Sequence, residues 1–80
     1  MMKVHVKLQG TLPDHYLGPY PDSGLELEFE GNISVADLID SLGLPRKKVS
    51  LVSVNGLLVK ADDLIPDGAV VKLLQPLSGG

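Results

Sequence analysis

The sequence contains no cysteine, and this absence removes several kinds of chemistry from consideration. A chain without thiols forms no disulfide and offers no thiol nucleophile and no cysteine-ligated zinc or iron–sulfur site. A zinc site would have to combine His5 and His15, the only histidines, with carboxylates. No spacing in the sequence indicates such a site, so we interpret His5 as a solvated residue of the first strand and His15 as an exposed loop residue, and we expect no bound metal.

Positive charge is also in short supply. Seven basic residues against ten acidic ones give a net charge of −3, whereas nucleic-acid-binding domains normally carry a basic excess. No apolar run approaches the roughly 20 residues that span a bilayer. The first residues alternate in polarity, unlike the continuous apolar segment of a signal peptide. We therefore expect no nucleic-acid partner, no membrane partner and a cytoplasmic location.

Common enzyme motifs are missing as well. The sequence has no glycine-rich phosphate loop, no His-Glu-x-x-His and no Gly-x-Ser-x-Gly. What it does have is the composition of an ordinary globular domain, with 44% hydrophobic and 21% charged residues among its 80. That length accommodates one domain with one hydrophobic core.

Two segments alternate strictly between apolar and polar residues. In Met2–Gln9 and Leu25–Glu30 every second residue is apolar, which is typical of strands with one face in water. The second segment places Glu26, Glu28 and Glu30 on that wet face. We interpret these glutamates as solvated, with an acidic docking surface for a basic partner as the alternative.

A single helix is indicated over Val35–Leu42, where apolar residues recur at i, i+3, i+4 and i+7. Ser34 is placed to cap this helix, and Asp37 completes a short-armed version of the capping box. Gly43 is suited to end the helix in the left-handed conformation, and Pro45 prevents the helix from resuming.

Three further strands are predicted after the helix, over Val49–Val54, Leu57–Lys60 and Ala69–Gln75. Asn55-Gly56 is a strong turn signal between the first two of them. One helix can cover only one face of a sheet. The order β, β, α, β, β, β therefore predicts an α+β fold in which a mixed sheet of four or five strands curls around the helix. This is the order of the β-grasp (ubiquitin-like) class, and order alone leaves other α+β topologies open.

The connection Gly10–Gly24 is long, and its prolines exclude regular structure over most of its length. Tyr16 and Tyr20 lie within it, and they either fold back as anchors or form part of a partner surface. After the helix, the basic run Arg46–Lys48 is too short for a nucleic-acid patch, and we interpret it as a solvated turn.

The sequence ends in Pro76-Leu77-Ser78-Gly79-Gly80. We predict a β-grasp domain over residues 1–75 and a flexible Gly-Gly tail over residues 76–80. Two residues without Cβ would let the chain end enter a narrow channel in a partner enzyme, and Pro76 would stiffen the exit from the last strand. The carboxylate of Gly80 would then be the reactive group, activated as an acyl-adenylate formed on ATP.

Several short motifs follow one another along most of the chain. They are Gly10-Thr11-Leu12, Val35-Ala36-Asp37-Leu38, Leu42-Gly43-Leu44-Pro45, Val54-Asn55-Gly56, Leu64-Ile65-Pro66-Asp67-Gly68-Ala69-Val70-Val71 and the closing Pro76-Leu77-Ser78-Gly79-Gly80. In this order they resemble the ThiS/MoaD family of sulfur carrier proteins, which are β-grasp domains ending in Gly-Gly. The closing Pro-x-x-Gly-Gly is most similar to the small subunit of molybdopterin synthase.

This resemblance implies a carrier without catalytic machinery and without a bound cofactor. An E1-like adenylyltransferase would adenylate the carboxylate of Gly80 with ATP and Mg²⁺, and a sulfur donor would convert it to a thiocarboxylate. The sulfur acceptor would be a biosynthetic enzyme, either the large subunit of molybdopterin synthase or thiazole synthase.

In this family the partners also contact an apolar patch on the outer sheet face near the tail. By position Leu58 and Leu74 are the candidates, and an ordinary core position is the alternative for each. On the first strand, relatives often carry an aromatic residue where this sequence has Gln9. The remaining partner contacts implied are those of the tail, namely Pro76, Leu77, Ser78 and Gly79.

Two other functions stay open at this point. A ubiquitin-like modifier would use the same activation but would transfer the acyl group of Gly80 to a lysine amine. A plain β-grasp interaction domain would not use the tail at all. The sequence does not separate carrier from modifier, because both need only Gly-Gly and an E1-like partner.

Overall fold

Five strands and two α-helices make up the part of the chain that the computed structural model describes, residues 2–16 and 18–75. The tail predicted over residues 76–80 lies outside these residues. None of the described helices has the length and apolar character needed to cross a bilayer. The elements are β1 (Met2–Leu8), α1 (Leu12–His15), β2 (Leu25–Phe29), α2 (Val35–Ser41), a 3₁₀ turn (Arg46–Lys48), β3 (Leu51–Val54), β4 (Leu57–Val59) and β5 (Ala69–Leu74).

The strands form one mixed sheet in the order β2-β1-β5-β3-β4. The strands β1 and β5 pair in parallel, with Val6 beside Val71 and Leu8 beside Leu73. The other neighbouring strands pair antiparallel. The first and last strands therefore form the middle of the sheet. This is the mixed five-stranded α+β arrangement that the sequence predicts, and it is consistent with a β-grasp fold.

The hydrophobic core includes one face of the sheet and the apolar face of α2. The strict alternation of β1 appears as alternating burial, with its even-numbered residues inside. Ile65, which lies in the connection between β4 and β5, is also buried in the core. Fully burying such a side chain contributes about 1.5–3 kcal/mol. The buried residues of β1, β5 and α2 are Met2, Val4, Val6, Leu8, Ala69, Val71, Leu73, Val35, Leu38 and Ile39.

Helix α2 begins with the capping box that the sequence predicts. The Ser34 hydroxyl accepts a hydrogen bond from the N–H of Asp37 at 3.1 Å, and the Asp37 carboxylate accepts one from the N–H of Ser34 at 3.3 Å. Leu42 is the C-cap, so the helix ends one residue earlier than predicted. Gly43 follows with a φ of +72°, the left-handed conformation expected at this position.

The segment after α2 corrects the predicted start of the third strand. Arg46–Lys48 form a 3₁₀ turn whose residues are exposed, as expected for a solvated turn, and β3 begins at Leu51 rather than Val49. The Arg46 guanidinium donates hydrogen bonds of 2.6 and 3.1 Å to the Asp40 carboxylate. These bonds hold the pKa of Asp40 below its ordinary value, although an exposed ion pair of this kind contributes little to stability.

The connection Gly10–Gly24 is irregular over most of its described length, but Leu12–His15 form the helical turn α1, which the sequence did not predict. Pro13 lies in the first turn, where its missing N–H has no intrahelical partner to lose. Leu12 is fully buried and fixes this turn to the core. His15, expected as an exposed loop residue, lies in α1 and is half-buried.

Both tyrosines of the connection pack against the core. The Tyr20 hydroxyl accepts a hydrogen bond of 2.8 Å from the backbone N–H of Leu8. Strand β2 pairs with β1 only as far as Leu25 opposite Val6, so Tyr20 takes the place of a strand partner beyond that point. The interpretation of these tyrosines as anchors of the connection is confirmed.

His5 lies on the outer face of β1, as predicted, but its solvation was wrongly predicted. Its side chain is only 27% exposed, with Nδ1 3.8 Å from the Glu26 carboxylate. Its Nε2 lies 2.7 Å from the carbonyl oxygen of Ser23. The connection folds over the outer face here, which an alternation pattern within one strand cannot reveal.

We expect Tyr20→Phe to lower the free energy of unfolding by about 1 kcal/mol, because it removes the acceptor of the Leu8 amide. Urea denaturation measures this difference. Tyr16→Phe is the matched control, since Tyr16 also packs against the core but its hydroxyl has no hydrogen-bond partner within residues 2–16 and 18–75. Equal losses in the two variants would contradict the anchoring role of the Tyr20 hydroxyl.

Candidate functional site

The end of β5 is the point from which the predicted tail departs, and it is held on both sides. The N–H of Gln9 donates to the carbonyl oxygen of Leu73 at 3.0 Å, and the N–H of Ser50 donates to that of Leu74 at 2.8 Å. Strand β5 is thus hydrogen-bonded to a neighbouring segment on each side as far as Leu74. Gln75, which follows, is the last described residue.

Gln75 itself is held through its side chain. Its Oε1 accepts hydrogen bonds from the backbone N–H of Thr11 and from the Thr11 hydroxyl, the latter at 2.8 Å. Gly10 has a φ of +63°, and a Cβ built on it would lie 2.7 Å from Cδ of Gln75. The turn after β1 therefore needs glycine both for its backbone conformation and for the space that the Gln75 side chain occupies.

An apolar patch lies on the outer sheet face beside this point. Leu51 of β3 lies directly opposite Leu74 of β5, and Leu58 of β4 lies opposite Ser53 of β3. Leu58 is 70% exposed and Leu51 49%, whereas Leu74 is half-buried. We call Leu51, Leu58 and Leu74 the outer patch.

The sequence left open whether Leu58 and Leu74 are outer-face or core residues. Leu58 and Leu74 both lie on the outer face, and neither belongs to the buried core. Leu51 was not predicted as a site residue. The signal that could have found it is the inward alternation of Val52 and Val54, which leaves Leu51 facing outward. Gln9, Leu51, Leu74 and Gln75 line one shallow groove, so the outer patch reaches the end of β5.

The electrostatics of the outer face change across the sheet. Lys7 and Lys72 lie directly beside each other on β1 and β5, and no carboxylate of the described residues lies within ion-pair distance of either. The acidic residues of β2 lie on the same outer face, on the side of β1 away from β5. There the Glu28 carboxylate is 3.9 Å from the Lys3 ammonium group. The half of the outer face that carries the outer patch is therefore apolar and positively charged.

The histidines form no metal site that the structure shows. Within the described residues, no three histidine, aspartate or glutamate side chains lie close enough together to hold a metal ion. The other predicted site residues, Pro76, Leu77, Ser78, Gly79 and Gly80, lie outside the described residues.

A family model described as the ThiS family matches residues 18–80, more than three quarters of the chain. The chain belongs to the ThiS family. The resemblance inferred from the sequence motifs is thereby confirmed. Members of the ThiS family are small sulfur carrier proteins rather than catalysts. No curated protein matches the chain.

The ThiS match extends beyond the last described residue and covers the closing Gly79-Gly80. It begins after β1 and α1, yet β1 lies between β2 and β5 in the sheet. The part of this ThiS protein outside the match therefore includes a central strand and the turn that binds Gln75.

We expect Gly10→Ala to destabilise this ThiS protein more than Gly43→Ala does. Both glycines have positive φ, +63° and +72°, and a Cβ costs about 1–2 kcal/mol in that conformation. A Cβ at Gly43 meets nothing within 4 Å, whereas one at Gly10 displaces the Gln75 side chain. Displacement should add about 1 kcal/mol through the lost hydrogen bonds to Thr11. Urea denaturation compares the two, and equal losses would contradict the contact.

Proposed function

We propose that this protein carries sulfur as a thiocarboxylate on Gly80. The observation that carries the proposal is the family match through residue 80, because it makes Gly79-Gly80 part of the region shared with sulfur carriers. The absence of cysteine supports it, since no side-chain thiol is available to hold a persulfide. The chain would be a protein cosubstrate and not an enzyme.

The proposed activation takes place in a partner enzyme. An E1-like adenylyltransferase uses ATP and Mg²⁺, and an oxygen of the Gly80 carboxylate attacks the α-phosphorus of ATP and displaces pyrophosphate. Hydrosulfide from the sulfur donor then attacks the acyl carbon, AMP leaves, and the terminal carboxylate becomes a thiocarboxylate. Gly79 and Gly80 contribute by having no Cβ, so that the chain end fits a narrow channel close to the nucleotide.

The proposed acceptor is a biosynthetic enzyme that receives the sulfur from Gly80. The closing Pro-x-x-Gly-Gly favours the large subunit of molybdopterin synthase, and thiazole synthase is the second candidate. A ubiquitin-like modifier would use the same activated Gly80, so the test must distinguish a thiocarboxylate from an isopeptide adduct.

The proposed docking surface for these partners is the outer patch together with Lys7 and Lys72. Exposed leucines beside the end of β5 supply apolar area that a partner can cover, and the two lysines favour a partner with acidic groups around its channel. Pro76, Leu77 and Ser78 would contact the partner along the way to its nucleotide site.

We expect the purified chain ending at Gly80 to gain mass when it is incubated with an E1-like activating enzyme, ATP, Mg²⁺ and a sulfur source. The gain should equal the difference between one sulfur and one oxygen, as measured by intact-protein mass spectrometry. Deleting Gly80 should abolish the gain and leave the urea midpoint unchanged.

Gly31→Ala is the control for that deletion, since a Cβ at Gly31 meets nothing within 4 Å, and it should gain sulfur normally. Sulfur uptake by the chain lacking Gly80 would exclude the proposal. Isopeptide-linked adducts that require Gly80, without any thiocarboxylate, would favour the modifier.

We expect Leu58→Asp to weaken binding to the activating enzyme about fivefold or more, because losing an apolar anchor of an interface costs more than about 1 kcal/mol. Leu64→Asp is the matched control. Leu64 is 64% exposed but bridges to Ser34 beside α2, outside the five strands. Isothermal titration calorimetry measures both affinities. Equal affinities would remove Leu58 from the docking surface.

A further inference from the structure

The contact between Gln75 and the turn after β1 joins two parts of the chain 64 residues apart. We call Gly10, Thr11 and Gln75 the root clamp. The side-chain carbonyl oxygen of Gln75 has two lone pairs. The backbone N–H and the hydroxyl of Thr11 supply one donor for each of them. Among the described residues, Gln75 is hydrogen-bonded only through its side chain. The last backbone hydrogen bonds of β5 are those of Leu73 and Leu74, so beyond them the root clamp holds the chain in place.

The Thr11 hydroxyl donates to Gln75 and does not cap α1. Thr11 occupies the N-cap position of α1, where a threonine hydroxyl commonly accepts a bond from the first helical turn. Its side chain makes no such capping bond and donates to Gln75 instead. Among the described residues, the bond to Gln75 is therefore the only hydrogen bond of the Thr11 hydroxyl.

The root clamp rests on a rigid base. Leu12, which follows Thr11, is fully buried, and the N–H of Leu12 donates to the Gln9 carbonyl at 3.2 Å. Thr11 is thereby fixed to the core and to the end of β1. Gln75 also precedes Pro76, and a residue before proline is restricted to extended backbone conformations. Side chain and backbone of Gln75 are thus both confined.

We propose that Gln75 is a positioning residue that fixes the direction in which the chain leaves the domain toward Gly80. This inference rests on the function proposed for Gly80. Ordering the chain at Gln75 in advance means that a partner enzyme does not have to order it on binding, and such pre-organisation improves affinity. Because Gln75 and Leu74 line one groove, the root clamp also fixes that direction relative to the outer patch.

The test compares Gln75→Met with Gln75→Glu. Methionine has a similar length and offers no acceptor for Thr11, whereas a glutamate carboxylate accepts both bonds. Thr11→Val and Thr11→Ser form a second pair, in which valine removes only the hydroxyl and serine keeps it.

The first measurement concerns the free protein. Backbone ¹⁵N relaxation should give an order parameter of about 0.85 for Gln75 in the wild-type chain and in Gln75→Glu, and below about 0.6 in Gln75→Met. Thr11→Val should fall between these values, and Thr11→Ser should match the wild type.

The second measurement is carrier-dependent ATP–pyrophosphate exchange by an E1-like activating enzyme. Gln75→Met should raise the KM for the carrier about five- to thirtyfold, the equivalent of ordering the backbone of one residue, and leave kcat unchanged. Gln75→Glu should restore the wild-type KM. A purely structural role would shift the urea midpoint without this separation of KM from kcat at temperatures where the variants are folded.

Each outcome decides one of the two proposals. An order parameter of Gln75 that is the same in Gln75→Met and Gln75→Glu, or an equal KM for these variants, overturns the positioning role. If the wild-type chain supports no exchange and gains no sulfur, the function proposed for Gly80 fails, whereas the relaxation measurement still decides whether the root clamp orders Gln75.

Discussion

The parallel pairing of β1 with β5 is the constraint on which the rest of the structure depends. It joins residues 4–8 to residues 69–73, so the middle of the sheet forms only when the two ends of the domain meet. Parallel neighbours cannot be linked by a short turn, and the chain between them supplies α2 and both outer parts of the sheet. The same pairing places the turn at Gly10 and Thr11 beside Gln75.

The two faces of this sheet are subject to different physical demands. The inner face is apolar, and each buried side chain packs against others, so a smaller residue there would leave a cavity. The outer face is divided into acidic residues on β2, lysines on β1 and β5, and leucines on β3, β4 and β5. Because substitutions of exposed side chains change stability little, the residues of the outer face can be suited to a partner without destabilising the core.

Local patterns in the sequence were enough to predict much of the fold but less of the candidate site. The alternation in Met2–Gln9 and the capping box at Ser34 depend on neighbouring residues, and both were predicted. Strands β3, β4 and β5 have apolar residues on both faces, so alternation alone did not decide which face Leu58 and Leu74 occupy. The bond between Thr11 and Gln75 and the cover over His5 depend on chain segments that only the folded structure brings together.

The length of the predicted tail relates the proposed docking surface to the root clamp. Five residues beyond Gln75 span at most about 17 Å even when fully extended. A partner whose nucleotide site receives Gly80 must therefore approach the domain close to Gln75. Leu74 and Gln75 are consecutive, and one belongs to the outer patch while the other binds the turn after β1. A displacement of Gln75 away from the partner would shorten the distance that Gly80 can span. A fixed Gln75 beside the outer patch would therefore let the partner contact the outer patch and receive Gly80 at the same time.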